Sequence, residues 1–270
     1  MSAVLAVPVA NTAFERLSRM CKAAPHLKPM AFEALMQMPL ELLVDPSAAL
    51  CKIAPGTFLT KPVQVRAQYE GIPEFSNVVF TDVRYGAQFL PEKRLSCCYG
   101  MTSEELFDSL LMSFCHPVVV DPHTEHMLCL TREEIRTWLH AWTVALPARD
   151  PFEQGDCGLQ EAHCNSQVLL DRLDVLFASF DEIERAYLIR MRRPGSRMWE
   201  GGLTLIVDCR EERLLERVRR ALPLLGMGLP PEDAPQNLLP LNRHPGLARL
   251  LRANLVPILD RAIGPWRMSA

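Results

Sequence analysis

The feature that most constrains the fold of this chain is a change of apolar period that occurs in each half. Large apolar residues spaced three and four apart give way to two short apolar runs rich in β-branched residues, and helical spacing then returns. Such runs are too brief for helices and read as buried strands. In the first half, three helix starts carry a capping box, in which an N-cap hydroxyl and a Glu three residues on satisfy each other's backbone N–H groups. The pairs are Thr12/Glu15, Thr102/Glu105 and Thr131/Glu134. They lead into the stripes Phe14, Leu17, Met20; Leu106, Phe107, Leu110, Leu111, Phe114; and Ile135, Trp138, Leu139, Trp142. Pro29, at a predicted N1 position, opens a further short helix carrying Phe32, Leu35 and Met36. Pro39 ends it because proline has no N–H to donate, and a strand from Leu40 to Val44 follows. Asn77 to Asp82 and Pro117 to Asp121 are predicted strands. The turn formers from Asp121 to Glu125 then let Met127 to Leu130 return antiparallel to the Thr131 cap.

Residues 145 to 165 carry prolines and glycines without an apolar period, the composition of a linker. The predicted organisation is a domain over 1–145, a linker over 146–165 and a second domain over 166–270. Asn165 is a predicted cap for a helix whose Leu169, Leu173, Leu176, Phe177 and Phe180 form one stripe. Strands over Arg185 to Arg192 and Leu203 to Asp208 follow. A helix from Arg210 to Leu222 then places Leu214, Leu215 and Val218 on one side and a Glu216/Arg220 pair toward solvent. The proline-rich tail from Pro230 holds too many apolar residues to leave in water and is expected to pack on the second domain. The fold class is α+β: two domains, each of short strands forming a small sheet covered by amphipathic helices.

Lys+Arg total 29 against Asp+Glu 32, so no net positive field draws the chain to nucleic acid, and nucleic-acid binding is not expected. The longest apolar stretches fall far short of the roughly 20 residues of a spanning helix, so no membrane span is expected. Met1 to Ala10 has no basic residue ahead of its apolar run and is interrupted by Pro8, which does not fit a secretory signal. The nine cysteines are odd in number, irregularly spaced and include the neighbours Cys97 and Cys98. That usage points to reduced thiols and a cytoplasmic protein rather than a disulfide framework.

The motifs of phosphate-binding loops, dinucleotide folds, zinc-protease helices, nucleophile elbows and thioredoxin-like dithiols are all missing from the sequence. Cys115, His116, His123, His126 and Cys129 form the densest group of possible ligands. If the two short strands pair across the turn, however, Cys115 and Cys129 point to one face and His116 and His126 to the other. This region therefore reads as a turn with exposed histidines and buried cysteines. Cys157, His163 and Cys164 lack a second matched pair, and Cys97-Cys98, after Glu92-Lys93-Arg94, fits a core or rim position. Arg190, Arg192, Arg193 and Arg197, with Tyr187 and Trp199 between them, read as a half-solvated strand edge rather than an RNA surface. Glu133/Glu134 and Glu211/Glu212 stand at helix starts, where the macrodipole favours carboxylates. No catalytic, cofactor-binding or metal-binding residue is assigned, and no cofactor is expected.

Taken in order, several stretches carry a resemblance to a known family. They are Phe32-Glu-Ala-Leu-Met-Gln-Met-Pro-Leu-Glu-Leu-Leu-Val44, Val79-Phe-Thr-Asp82, Leu106-Phe-Asp-Ser-Leu110, Pro117-Val-Val-Val-Asp-Pro122 and Leu130-Thr-Arg-Glu-Glu-Ile135. In the second half they are Leu173 to Phe180, Glu184-Arg-Ala-Tyr-Leu188 and Leu203-Thr-Leu-Ile-Val-Asp208. From Phe14 to about Ala262 the chain resembles the SseB family, the enhanced serine sensitivity proteins of bacteria. One departure is Asp121-Pro122, where the family pattern has Asn-Pro. The resemblance implies a non-enzymatic binding or adaptor protein associated with serine sensitivity or tolerance, whose partner is another protein or a small metabolite. The competing expectation is an enzyme or metal-binding protein with a dispersed site at His116, His123 and His126 or at Cys97-Cys98.

Overall fold

Each of the three capping boxes forms and starts a helix, which sets the frame of the first half. In the computed structural model, which describes residues 12–44, 51–54, 57–59, 64–66, 75–89, 97–113, 116–144, 158–162, 166–192 and 202–261, the Oγ1 of Thr12, Thr102 and Thr131 accepts from the N–H three residues on at 3.2, 3.3 and 3.1 Å. The matching glutamates accept from the threonine N–H groups at 3.2, 3.1 and 2.8 Å. Helix α1 (Ala13–Ala23) is followed by α2 (Lys28–Met36), with Pro29 in its first turn, and by strand β1 (Pro39–Val44). Further on come β2 (Cys51–Ala54), β3 (Thr57–Leu59), β4 (Gln64–Arg66), β5 (Phe75–Phe80), α3 (Val83–Phe89) and β6 (Cys97–Thr102). Helix α4 (Ser103–Ser113), β7 (Val118–Val120), β8 (Leu128–Leu130) and α5 (Arg132–Thr143) complete the series.

The chain divides into two compact units, Met1–Thr137 and Trp138–Ala270, so α5 runs through the division. The first unit holds a sheet of order β6-β1-β5-β7-β8, with β4 also on β5, and a separate β2-β3 hairpin. β5 and β7 are parallel, with Asn77 opposite Val118 and Val79 opposite Val120, while every other pair is antiparallel. Strands buried on both faces need continuous apolar runs, and Val78 to Phe80 and Val118 to Val120 are all fully buried. The helices of this unit contribute Phe14, Leu17, Phe32, Leu35, Leu106, Phe107, Leu110 and Ile135 to the core, all buried. The expected α1 stripe needs one correction. Met20 is 46% exposed and Cys21 is buried in its place, because Phe14, Leu17 and Cys21 follow the i, i+3, i+7 track of one helix face.

The second unit contains β9 (Gly158–Glu161), α6 (Gln167–Phe177), β10 (Arg185–Arg192), β11 (Leu203–Asp208), α7 (Glu212–Leu225), β12 (Pro235–Pro240), α8 (Pro245–Asn254) and β13 (Leu259–Asp260). β9 is a strand inside the segment expected to be a plain linker; the rest of 146–165, apart from Ala162, lies outside the described residues. The N-cap of α6 is Ser166, whose Oγ accepts from Leu169 N at 3.3 Å, one residue beyond the expected Asn165. Sheet order is β12-β11-β10-β13, with β9 also on β10; β11 and β12 are parallel and the remaining pairs antiparallel. Parallel pairing requires a crossover, and α7 supplies it. The tail does more than pack on the unit, since β12 and β13 are part of its sheet.

Tyr187, Ile189, Met191 and Ile206 meet Leu239, Leu241 and Leu251 from that tail, while the alternate residues Ala186, Leu188, Leu205 and Val207 are buried on the other face. The stripe Leu169, Leu173, Leu176, Phe177 and Phe180 is buried throughout. Helix α7 begins two residues later than predicted and runs on through Pro223 to Leu225. Among the described residues, no helix is long and apolar enough to cross a membrane.

Candidate functional site

In an open sheet, the carboxyl ends of neighbouring parallel strands border the crevice where ligands commonly sit. Here those ends belong to β5 and β7. β5 runs into Thr81 and Asp82 and then α3, while β7 runs into the turn from Asp121 to His126. Asp121 is fully buried, and its carboxylate spans the two strand ends. Its Oδ1 accepts from Thr81 N at 2.8 Å and its Oδ2 from Thr81 Oγ1 at 2.5 Å. Asp121 N donates to Val79 O at 3.0 Å, continuing the ladder into the turn. The turn is closed by Thr124, whose Oγ1 donates to Asp121 O at 2.7 Å. Asp121 and His123 have φ values of 47° and 62°, the left-handed region that Asp and His enter more readily than branched or bulky residues.

Two aromatic residues one turn apart on α3 grip this turn. The Tyr85 ring lies 5.1 Å from that of His126, and the Phe89 ring lies 5.2 Å from His123 and 5.8 Å from Phe80. Tyr85 OH donates to Glu15 Oε1 at 3.0 Å, while the other oxygen of that carboxylate serves the α1 capping box. Burial, reinforced by the bond to Glu15, pushes the Tyr85 phenol up to about 12, so it remains a donor at neutral pH. Ser18 Oγ on α1 donates to His126 O at 2.7 Å. Asp82 is gripped by the Arg84 guanidinium and its N–H, which hold the carboxyl below the usual carboxylate range.

His126 corrects the sequence expectation. The sequence reads it as an exposed histidine of the turn ahead of a return strand from Met127. The strand starts only at Leu128, and the imidazole is 8% exposed, with Nε2 3.4 Å from Asp121 Oδ2. That separation is within ion-pair reach but lacks hydrogen-bonding geometry, and among the described residues Nε2 has no hydrogen-bond partner. His123 is exposed at the tip of the turn, His116 is half-buried ahead of β7, and Cys129 is buried as expected. Among the described residues, no three His, Cys, Asp or Glu side chains gather as a metal would require. Cys115, Cys157, His163, Cys164, Arg193, Arg197 and Trp199 lie outside the described residues, as does the Glu92-Lys93-Arg94 run before Cys97. Cys97 and Cys98 are successive residues of β6, opposite Val44 and Leu43.

Of the arginine strand, Tyr187, Arg190 and Arg192 are among the described residues. Tyr187 is 2% exposed within the core, Arg190 stands 4.0 Å from Asp233, and Arg192 lies over Gly158, where a Cβ would come within 2.9 Å of its Nε. The residues that build the β5–β7 end were hard to see in sequence. Helix α3 is seven residues long, and its local signals were Asp82, whose Oδ1 accepts from Arg84 N at the helix start, and Tyr85 and Phe89 at i, i+4. The Thr81–Asp121 bond joins residues forty apart and has no local signature. Comparison of the chain with protein-family models, with curated proteins and with solved structures finds no match.

Proposed function

We propose that this chain is a non-enzymatic binding protein, similar to the SseB family, that holds a protein or small-metabolite partner in the cytoplasm and modulates serine tolerance. One observation supports the non-enzymatic part above the others. Apart from His126, the carboxylates and hydroxyls at the carboxyl ends of β5 and β7 bond to neighbouring protein groups. Asp121 holds Thr81, Glu15 holds Tyr85 and Thr12, and Asp82 holds Arg84. A general acid or base must present its proton or lone pair to a substrate, whereas Asp121 and Glu15 direct theirs into the fold and Asp82 is paired at the surface.

The test is growth of the native cell across a range of serine concentrations with the full chain deleted, restored and overproduced. It is paired with capture of the full chain and identification of what remains bound. A dose-dependent change in tolerance together with one reproducible partner is the expected outcome. Unchanged growth in all three strains would sink the serine role, and capture of nothing would sink the binding role. The second reading, an enzyme, is favoured by the imidazole of His126, whose Nε2 lies 3.4 Å from the buried Asp121 carboxylate. It predicts that His126→Gln abolishes the serine effect while the thermal transition stays in place. The binding reading predicts that a folded His126→Gln chain keeps the effect.

A further inference from the structure

We draw no further inference here: the strongest candidate, the exposed apolar side chains Leu250 and Val256 around the C-terminal end of α8, is an unpartnered surface and nothing in the structure shows what covers it.

Discussion

Apart from the Ser166 cap at the start of α6, the two units secure their helices at opposite ends. In the first, α1, α4 and α5 are fixed at their starts by hydroxyl–glutamate boxes, each spanning three residues of sequence. In the second, α6 and α7 are fixed at their ends by arginines from far along the chain. Arg172 donates through Nη1 to the carbonyls of Leu225 and Met227 at 2.9 and 2.7 Å, in and just after the proline-containing last turn of α7. Arg261 donates to Phe177 O at 2.9 Å, Phe180 O at 2.7 Å and Ile183 O at 3.0 Å, around the end of α6.

A helix leaves four N–H groups free at one end and four carbonyls at the other, and the side chains suited to each differ. A short hydroxyl reaches only its near neighbours, whereas a guanidinium carries five donors on a long stem and can serve several carbonyls at once. The first unit shows the limit of the hydroxyl. Ser103 Oγ meets the end of α2, 2.7 Å from Leu35 O and 2.6 Å from Met38 O, but it has one proton to give. Burial pushes the Arg172 guanidinium down to about 10, which leaves it charged at neutral pH, and the negative end of the α7 dipole compensates for the lost water.

This contrast can be broken by substitution. Arg172→Met keeps the apolar stem and strips the donors from a residue 4% exposed. It is expected to cost about 3 kcal/mol in urea unfolding, since buried carbonyls lose a charged partner. Protection against hydrogen exchange should fall first in the last turn of α7. Asp121→Asn comes next, at about 2 kcal/mol, because one acceptor toward Thr81 survives and the other becomes a donor facing the Thr81 hydroxyl. An Asn variant as stable as the original chain would show that the carboxylate is not needed for the latch.

Thr12→Ala, Thr102→Ala and Thr131→Ala should each cost about 1 kcal/mol, the usual worth of a cap. If any of them exceeded Arg172→Met by denaturant midpoint at unchanged slope, the contrast between local and distant fixing would fail. The smallest effect concerns Tyr85. Its phenol is raised from 10 to about 12 in the folded chain, so the stabilisation is complete below pH 10 and is lost as pH rises through about 12. Midway between those values, the original chain and Tyr85→Phe should show the same phenolate absorbance. A larger signal from the original chain would mean that Tyr85 ionises normally.

What was legible in the sequence was whatever depends on residues within one helical turn or one strand. The three boxes, the α6 stripe, the β7–β8 return and the β10–β11 pair are all of this kind, because caps, periods and tight turns act over three to eleven residues. The α+β class follows from those elements. Less of the candidate site could be read. His126 was visible as a histidine in a turn, but its burial against Asp121 and Tyr85 depends on α3 and β5, which lie about forty residues earlier.

The sequence by itself determined where most helices begin and which of their faces turn inward, since both are properties of neighbouring residues. The tertiary structure alone decided where α6 and α7 find partners for their last carbonyls, that the tail enters the sheet as β12 and β13, and that Asp121 is the residue joining β5 to β7. The reason is physical: a strand partner, a buried carboxylate's donors and a helix's terminal carbonyls are satisfied by whatever the folded chain brings within about 3 Å, and that proximity is not encoded in any local pattern.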